Sequence, residues 1–114
     1  MRPHAKIALM AATLDPVLTR FRAALDAAYG DRLERVVLFG SRARGDYRVD
    51  SDYDVAVFLK GFRTFGCEIE PLAAIETDIL FDTGALISAL PMPEGSYNER
   101  TGLMHEMRRE GIDL

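Results

Sequence analysis

The chain has 114 residues, of which 48% are hydrophobic, with one cysteine and a formal net charge of −4. That length supports one modest core but no second substrate-binding domain, and no apolar run approaches the length of a membrane span, so residues 1–114 are expected to form a single domain without a membrane partner. The acidic balance argues against direct nucleic-acid binding, which draws on cations meeting phosphates, while the lone Cys67 excludes an internal disulfide framework and suits the cytoplasm.

Residues 1–13 combine a basic start with a short apolar stretch broken by Lys6. They read as an ordinary N-terminal segment of open structure rather than a secretion signal. Asp15-Pro16 is a strong helix start, a capping side chain followed by proline in the first turn. Val17, Leu18, Phe21, Leu25, Ala28 and Tyr29 then recur at helical spacing until Gly30 supplies the stop. Arg35-Val36-Val37-Leu38-Phe39 is too short for a stable helix and rich in strand formers, so it predicts a mostly buried strand that ends at Gly40.

At Gly40 the chain can turn sharply, and backbone amides together with the Ser41 hydroxyl can approach phosphate oxygens closely. Ten residues after Ser41 comes Ser51-Asp52-Tyr53-Asp54-Val55-Ala56-Val57-Phe58-Leu59, a second strand. Its period of two sends Asp52 and Asp54 to one face with Ala56 and Phe58, and Tyr53, Val55, Val57 and Leu59 to the other. Carboxylates so placed are roughly 6–7 Å apart at Cα, where two charges would repel by about 3 kcal/mol at an effective dielectric near 20. A hard cation removes that repulsion. Magnesium, held by one or two carboxylates plus substrate phosphates, is the fitting ion, and the segment is a candidate site for a nucleoside triphosphate and its metal. Arg42 and Arg44 lie between the turn and the acids, where either guanidinium suits a β- or γ-phosphate; Arg48 is the weaker candidate.

Beyond the second strand, Gly61 to Gly66 read as a loop around Phe62 and Phe65, aromatics that pack locally or form a lid. Pro71 is expected to open a helix carrying Leu72, Ile75, Ile79 and Leu80 inward and ending near Gly84. Ala85 to Leu90 then predicts a third strand closed by Pro91 and Pro93, and Tyr97 to Glu110 a short charged helix. His4 and His105 are read as surface residues.

Gly-Ser, ten residues, then Asp-x-Asp resembles the signature of the DNA-polymerase-β-like nucleotidyltransferases. The form Gly40-Ser41-Arg42-Ala43-Arg44-Gly45 with Asp52-x-Asp54 looks like their minimal, single-domain branch, the antitoxin-type proteins encoded beside HEPN-domain toxins. The likeness is strongest over residues 33–60; Leu103 to Gly111 is similar to the closing helix of those proteins, and residues 1–13 lie outside it. It implies an α/β (α+β) fold, a small mixed sheet of three to four strands with helices packed on one face. It further implies AMP transfer from ATP to a hydroxyl, the acceptor being a tyrosine of a partner HEPN ribonuclease toxin. Asp52 and Asp54 would then hold Mg2+ and act in catalysis, while Gly40, Ser41 and Arg42 or Arg44 would seat the nucleotide.

One departure stands out. Catalytic members of that superfamily generally carry a third carboxylate on the strand after the helix, and here the corresponding position is Ser88, with Asp82 or Glu94 as the nearest substitutes in sequence. Two alternatives therefore stay open: an antitoxin that neutralises its toxin by contact with little or no catalysis, and nucleotidyl transfer to an antibiotic, which would need a drug-binding surface supplied by a dimer.

Overall fold

A computed structural model of the chain describes residues 3–114, with side chains from Lys6 onward; Met1, Arg2 and the side chain of His4 lie outside the described residues. The N-terminal segment is a helix, α1 (Pro3–Leu14). Its buried Ala8 and Ala12 share a core cluster with Ala43. Helix α2 (Pro16–Tyr29) begins as its sequence predicts: Asp15 Oδ1 accepts from the amides of Val17 at 2.8 Å and Leu18 at 3.4 Å. Such a cap is worth about 1 kcal/mol. Leu18, Phe21, Leu25 and Tyr29 form the buried stripe of α2.

Four strands make one mixed sheet: β1 (Leu33–Phe39), β2 (Tyr53–Leu59), β3 (Ile87–Pro93) and β4 (Ile112–Asp113), in the order β3-β2-β1-β4. The central pair β1 and β2 is antiparallel, β2 and β3 are parallel, and β4 adds antiparallel to β1. A parallel neighbour demands a crossover, and α4 (Phe65–Thr83) provides it. Alternation sorts the two faces. Val36, Leu38, Tyr53, Val55, Val57, Leu59 and Ile87 join side chains of α1, α2 and α4 in the larger core. Val37, Ala56 and Phe58 face the other way, under Met104 and Met107 of α5 (Gly102–Glu110). Each such fully buried large apolar side chain contributes about 1.5–3 kcal/mol. The mixed α+β class is thus as expected, and α5 gives the sheet a helix on its second face.

Four local readings change. Helix α4 starts at Phe65, not at Pro71: the Thr64 hydroxyl caps it by accepting from Cys67 N at 3.2 Å, and exposed Pro71 is carried within the helix. The expected loop therefore ends at Thr64, with Phe62 partly buried against the larger core and Phe65 exposed. Strand β3 runs through both prolines that were expected to close it. It is an edge strand, and alternate amides of an edge point away from the sheet; Ala89 N, of the same parity as Pro91 and Pro93, donates outward to Glu76 Oε1 at 2.9 Å. The region of the closing helix is split, a 3-10 turn (Ser96–Asn98) preceding α5, whose N-cap is Thr101. After α5 the chain adds β4, an element absent from the sequence reading.

Candidate active site

The site lies where β1 ends and β2 begins. Antiparallel register sets Phe39 opposite Asp54, so the residue after β1, Gly40, falls beside the first carboxylate of β2. Gly40 has φ 74° and ψ −156°, a region essentially restricted to glycine. A Cβ built there would collide with the Asp54 carboxylate. The tight turn and the acid are therefore in direct contact. From Gly40 the chain enters a one-turn helix, α3 (Ser41–Arg44), closed by Gly45. The Gly40 carbonyl accepts from Ala43 N and Arg44 N, each at 3.1 Å, while the leading amides of a helix have no acceptor within it.

Asp54 is half-buried and Asp52, just ahead of β2, is exposed. Burial pushes the Asp54 carboxyl above its usual range, the negative charge of Asp52 pushes it further the same way, and Arg44 pulls it back. Asp52 and Arg44 thus both lie close enough to act on the Asp54 carboxyl. Asp54 occupies the face of Ala56 and Phe58, as the strand period predicts. Two adjacent oxygen-rich acids and one cation fit a magnesium ion carried on a triphosphate. Among the described residues no cluster of three or more acidic, histidine or cysteine ligands forms.

The remaining candidates separate. Arg44 is exposed, bridged only loosely to Asp46 at 3.4 Å, and it also draws down the carboxyl of Glu106 on α5, after the larger effect of Arg109. Arg42 is buried and turns Nε and Nη2 to the carbonyls of the loop before Asp52, so it faces the protein where the sequence reading offered it to a phosphate. Ser88 is the β3 partner of Asp54 and is exposed, so the position where a third acid would stand holds a hydroxyl. Neither proposed substitute reaches it. Asp82 pairs with Arg20 of α2 at 2.7 Å, and Glu94 follows the far end of β3, where its amide donates to Leu59 O. Six residue steps lead from Ser88 to Glu94, roughly 20 Å along the strand. His105 is exposed on α5. The sequence reading missed the roles of Tyr47 and Tyr53, whose rings lie against Arg42, and of Asp15, which accepts from the Tyr53 hydroxyl; the aromatics before and between the acids were the available signal.

A glycine turn packed against the Asp54 carboxylate, in a four-stranded mixed sheet with a helical crossover, is the arrangement of a nucleotidyltransferase-like fold. Residues 18–100 match the nucleotidyltransferase domain family, and the chain belongs to it. Two Methanocaldococcus jannaschii proteins are similar. "Putative protein adenylyltransferase MJ0604" is 31% identical over 86 residues, covering 75% of this chain and 80% of that protein. "Putative protein adenylyltransferase MJ0141" is 42% identical over 48 residues, 42% of this chain, and the chain spans about half of its length (48%). Among solved structures, a "putative minimal nucleotidyltransferase" aligns with TM-score 0.57 at 27% identity, covering 84% of this chain and 90% of that one. A "putative nucleotidyltransferase from Sulfolobus solfataricus" shares the fold, with TM-score 0.63 at 17% identity, covering 99% of this chain and 86% of that one.

Proposed function

We propose that the protein transfers AMP from ATP to a hydroxyl of a protein acceptor. The contact between Gly40 and the Asp54 carboxylate supports this reading, because it sets the tight turn directly against the carboxylate of β2. Asp52 and Asp54 would hold Mg2+, which when bound neutralises the triphosphate and makes the α-phosphorus more electrophilic. The turn at Gly40 and Ser41 seats the β- and γ-phosphates, and exposed Arg44 adds positive charge beside them. The acceptor oxygen forms a bond to the α-phosphorus, the bond to the bridging oxygen breaks, pyrophosphate leaves and the hydroxyl proton passes to solvent. Positioning and charge compensation supply most of the rate. The adenylyltransferase names of the two similar archaeal proteins support a protein acceptor. By the resemblance noted in the sequence, that acceptor is a tyrosine of a HEPN ribonuclease toxin, which AMPylation silences, and the protein works as an antitoxin in the cytoplasm.

Ser88 favours a second reading, neutralisation of the same partner by binding alone, because the acid that generally assists deprotonation is replaced by a hydroxyl. Incubation with ATP labelled at the α-phosphate, magnesium and a HEPN protein encoded beside this one separates the two. Label retained on the partner, lost with Asp52→Asn plus Asp54→Asn, establishes transfer. A tight complex that forms without label, equally in the double variant, establishes the binding module.

A further inference from the structure

Arg42 is 9% exposed, and among the described residues no carboxylate pairs with it. Its charge is met instead by neutral groups. Nε donates to Ser51 O at 3.0 Å, and Nη2 to Val49 O at 3.2 Å and Arg48 O at 3.5 Å. The guanidinium carbon lies 3.8 Å from the centre of the Tyr53 ring and 4.7 Å from that of Tyr47. The Tyr53 hydroxyl in turn donates to Asp15 Oδ2 at 2.7 Å, the carboxylate whose other oxygen caps α2.

These contacts converge on the segment that delivers Asp52. The loop has little else to hold it: Val49 is 96% exposed, and Arg48 and Asp50 are exposed too. Within it the turn is closed by Ser51 N to Arg48 O at 3.1 Å and Arg48 N to Ser51 Oγ at 2.8 Å, and the guanidinium gathers the outward carbonyls of that same turn. Like charge opposes the arrangement, since Asp52 and Asp54 repel and Asp52 is exposed, outside the strand. A force from elsewhere must keep them together. A planar fork that reaches Ser51 O with Nε and both Val49 O and Arg48 O with Nη2, stacked against two rings, supplies it; an ammonium offers neither the plane nor the spread.

We infer that Arg42 is a positioning residue, a buried clamp anchored through Tyr53 and Asp15 to the start of α2, that holds the 48–51 loop so that Asp52 stands beside Asp54. The inference rests on the proposed nucleotide site and gives that site a preformed acid pair. It assigns the two arginines of the turn different work, Arg44 facing the ligand and Arg42 facing the protein.

The test compares wild type, Arg42→Lys and Arg42→Ala by amide hydrogen exchange and by Mn2+·ATP affinity from electron paramagnetic resonance. For both variants, exchange at residues 48–52 should accelerate while that of β1 and β2 is unchanged. Affinity should fall about tenfold or more, as is usual when a partner orienting a metal ligand is lost. Millimolar ethylguanidinium, but not ethylammonium, should restore affinity to Arg42→Ala, a recovery that a general loss of packing would not show. Arg42→Lys binding within twofold of wild type, or losing affinity with no change in loop exchange, overturns the assignment. Global unfolding of Arg42→Lys overturns it too, by making Arg42 a support of the whole fold. If wild type itself binds no Mn2+·ATP, the proposed function fails, and the exchange data alone then decide whether Arg42 clamps the loop.

Discussion

Replacing Gly40 by alanine tests the contact on which the site depends. Two costs combine. The dihedrals of Gly40, φ 74° and ψ −156°, lie where a residue with a Cβ is strained by about 1–3 kcal/mol. The new methyl would also overlap the Asp54 carboxylate, so either the turn or the acid must move. Gly84→Ala is the matched control: φ is 76° with ψ −2°, the left-handed C-cap of α4, and a Cβ there meets nothing. That substitution should cost about 1–2 kcal/mol and leave the site alone. Gly40→Ala should cost about 2–4 kcal/mol, a drop in Tm of roughly 10–15 °C for a chain of this size, and still leave most of a typical domain's stability. Urea titration gives the stability difference and Mn2+·ATP titration gives the site. Weakened Mn2+·ATP binding in Gly40→Ala alone is expected. If the two variants are equally destabilised and both bind as wild type does, the turn does not abut the acid, and the proposed chemistry loses its support.

Two further changes probe the neighbours of the acid pair. Ser88→Asp places a third carboxylate on the β3 partner of Asp54, about 4.8 Å away in strand spacing, and should raise Mn2+ affinity several-fold while lowering the stability of the metal-free protein. Unchanged Mn2+ affinity would show that this position does not reach the ion. Tyr53→Phe removes the hydrogen bond to Asp15 and should cost about 1.5–3 kcal/mol near pH 8, the range for a bond to a charged group. Burial, then the bond to Asp15, pushes the Tyr53 hydroxyl up to about 12 from an ordinary 10. The folded state therefore prefers the protonated phenol; its advantage is complete below pH 10 and is lost as pH rises through 12. The stability gap between wild type and Tyr53→Phe, followed by denaturant titration, should shrink across that window, and a gap constant from pH 8 to 12 would contradict the assignment.

How much of this was legible in the chain depends on how far each signal had to reach. Asp15-Pro16 and Gly30 bound α2 as read, because a cap and a stop act within a few residues. The facing of Asp54 with Ala56 and Phe58 was likewise local, following from strand periodicity alone. The prolines misled because their meaning depends on position in the assembled sheet. Pro91 and Pro93 end a central strand but not an edge, and only the order β3-β2-β1-β4 makes β3 an edge. Pro71 was read as a helix start, although Thr64 already offered a cap one turn and more before it. Strand β4 has two residues and exists through pairing with Val37 and Leu38, so no window of its own sequence encodes it.

Arg42 and Arg44 pose the same problem at the site itself. Two residues apart on a single turn of helix, they are chemically identical, and the sequence offered both to a phosphate. What separates them is the return path of residues 45–52, which folds the carbonyls of Arg48, Val49 and Ser51 back over α3 on the side of Arg42. Eight of the ten residues between Ser41 and Asp52 make up this return with its clamp, so the fixed spacing of the motif is set by the loop as well as by the ligand. Shortening it would leave Asp54 on its strand and the turn in place, yet remove the carbonyls that bring Asp52 to them.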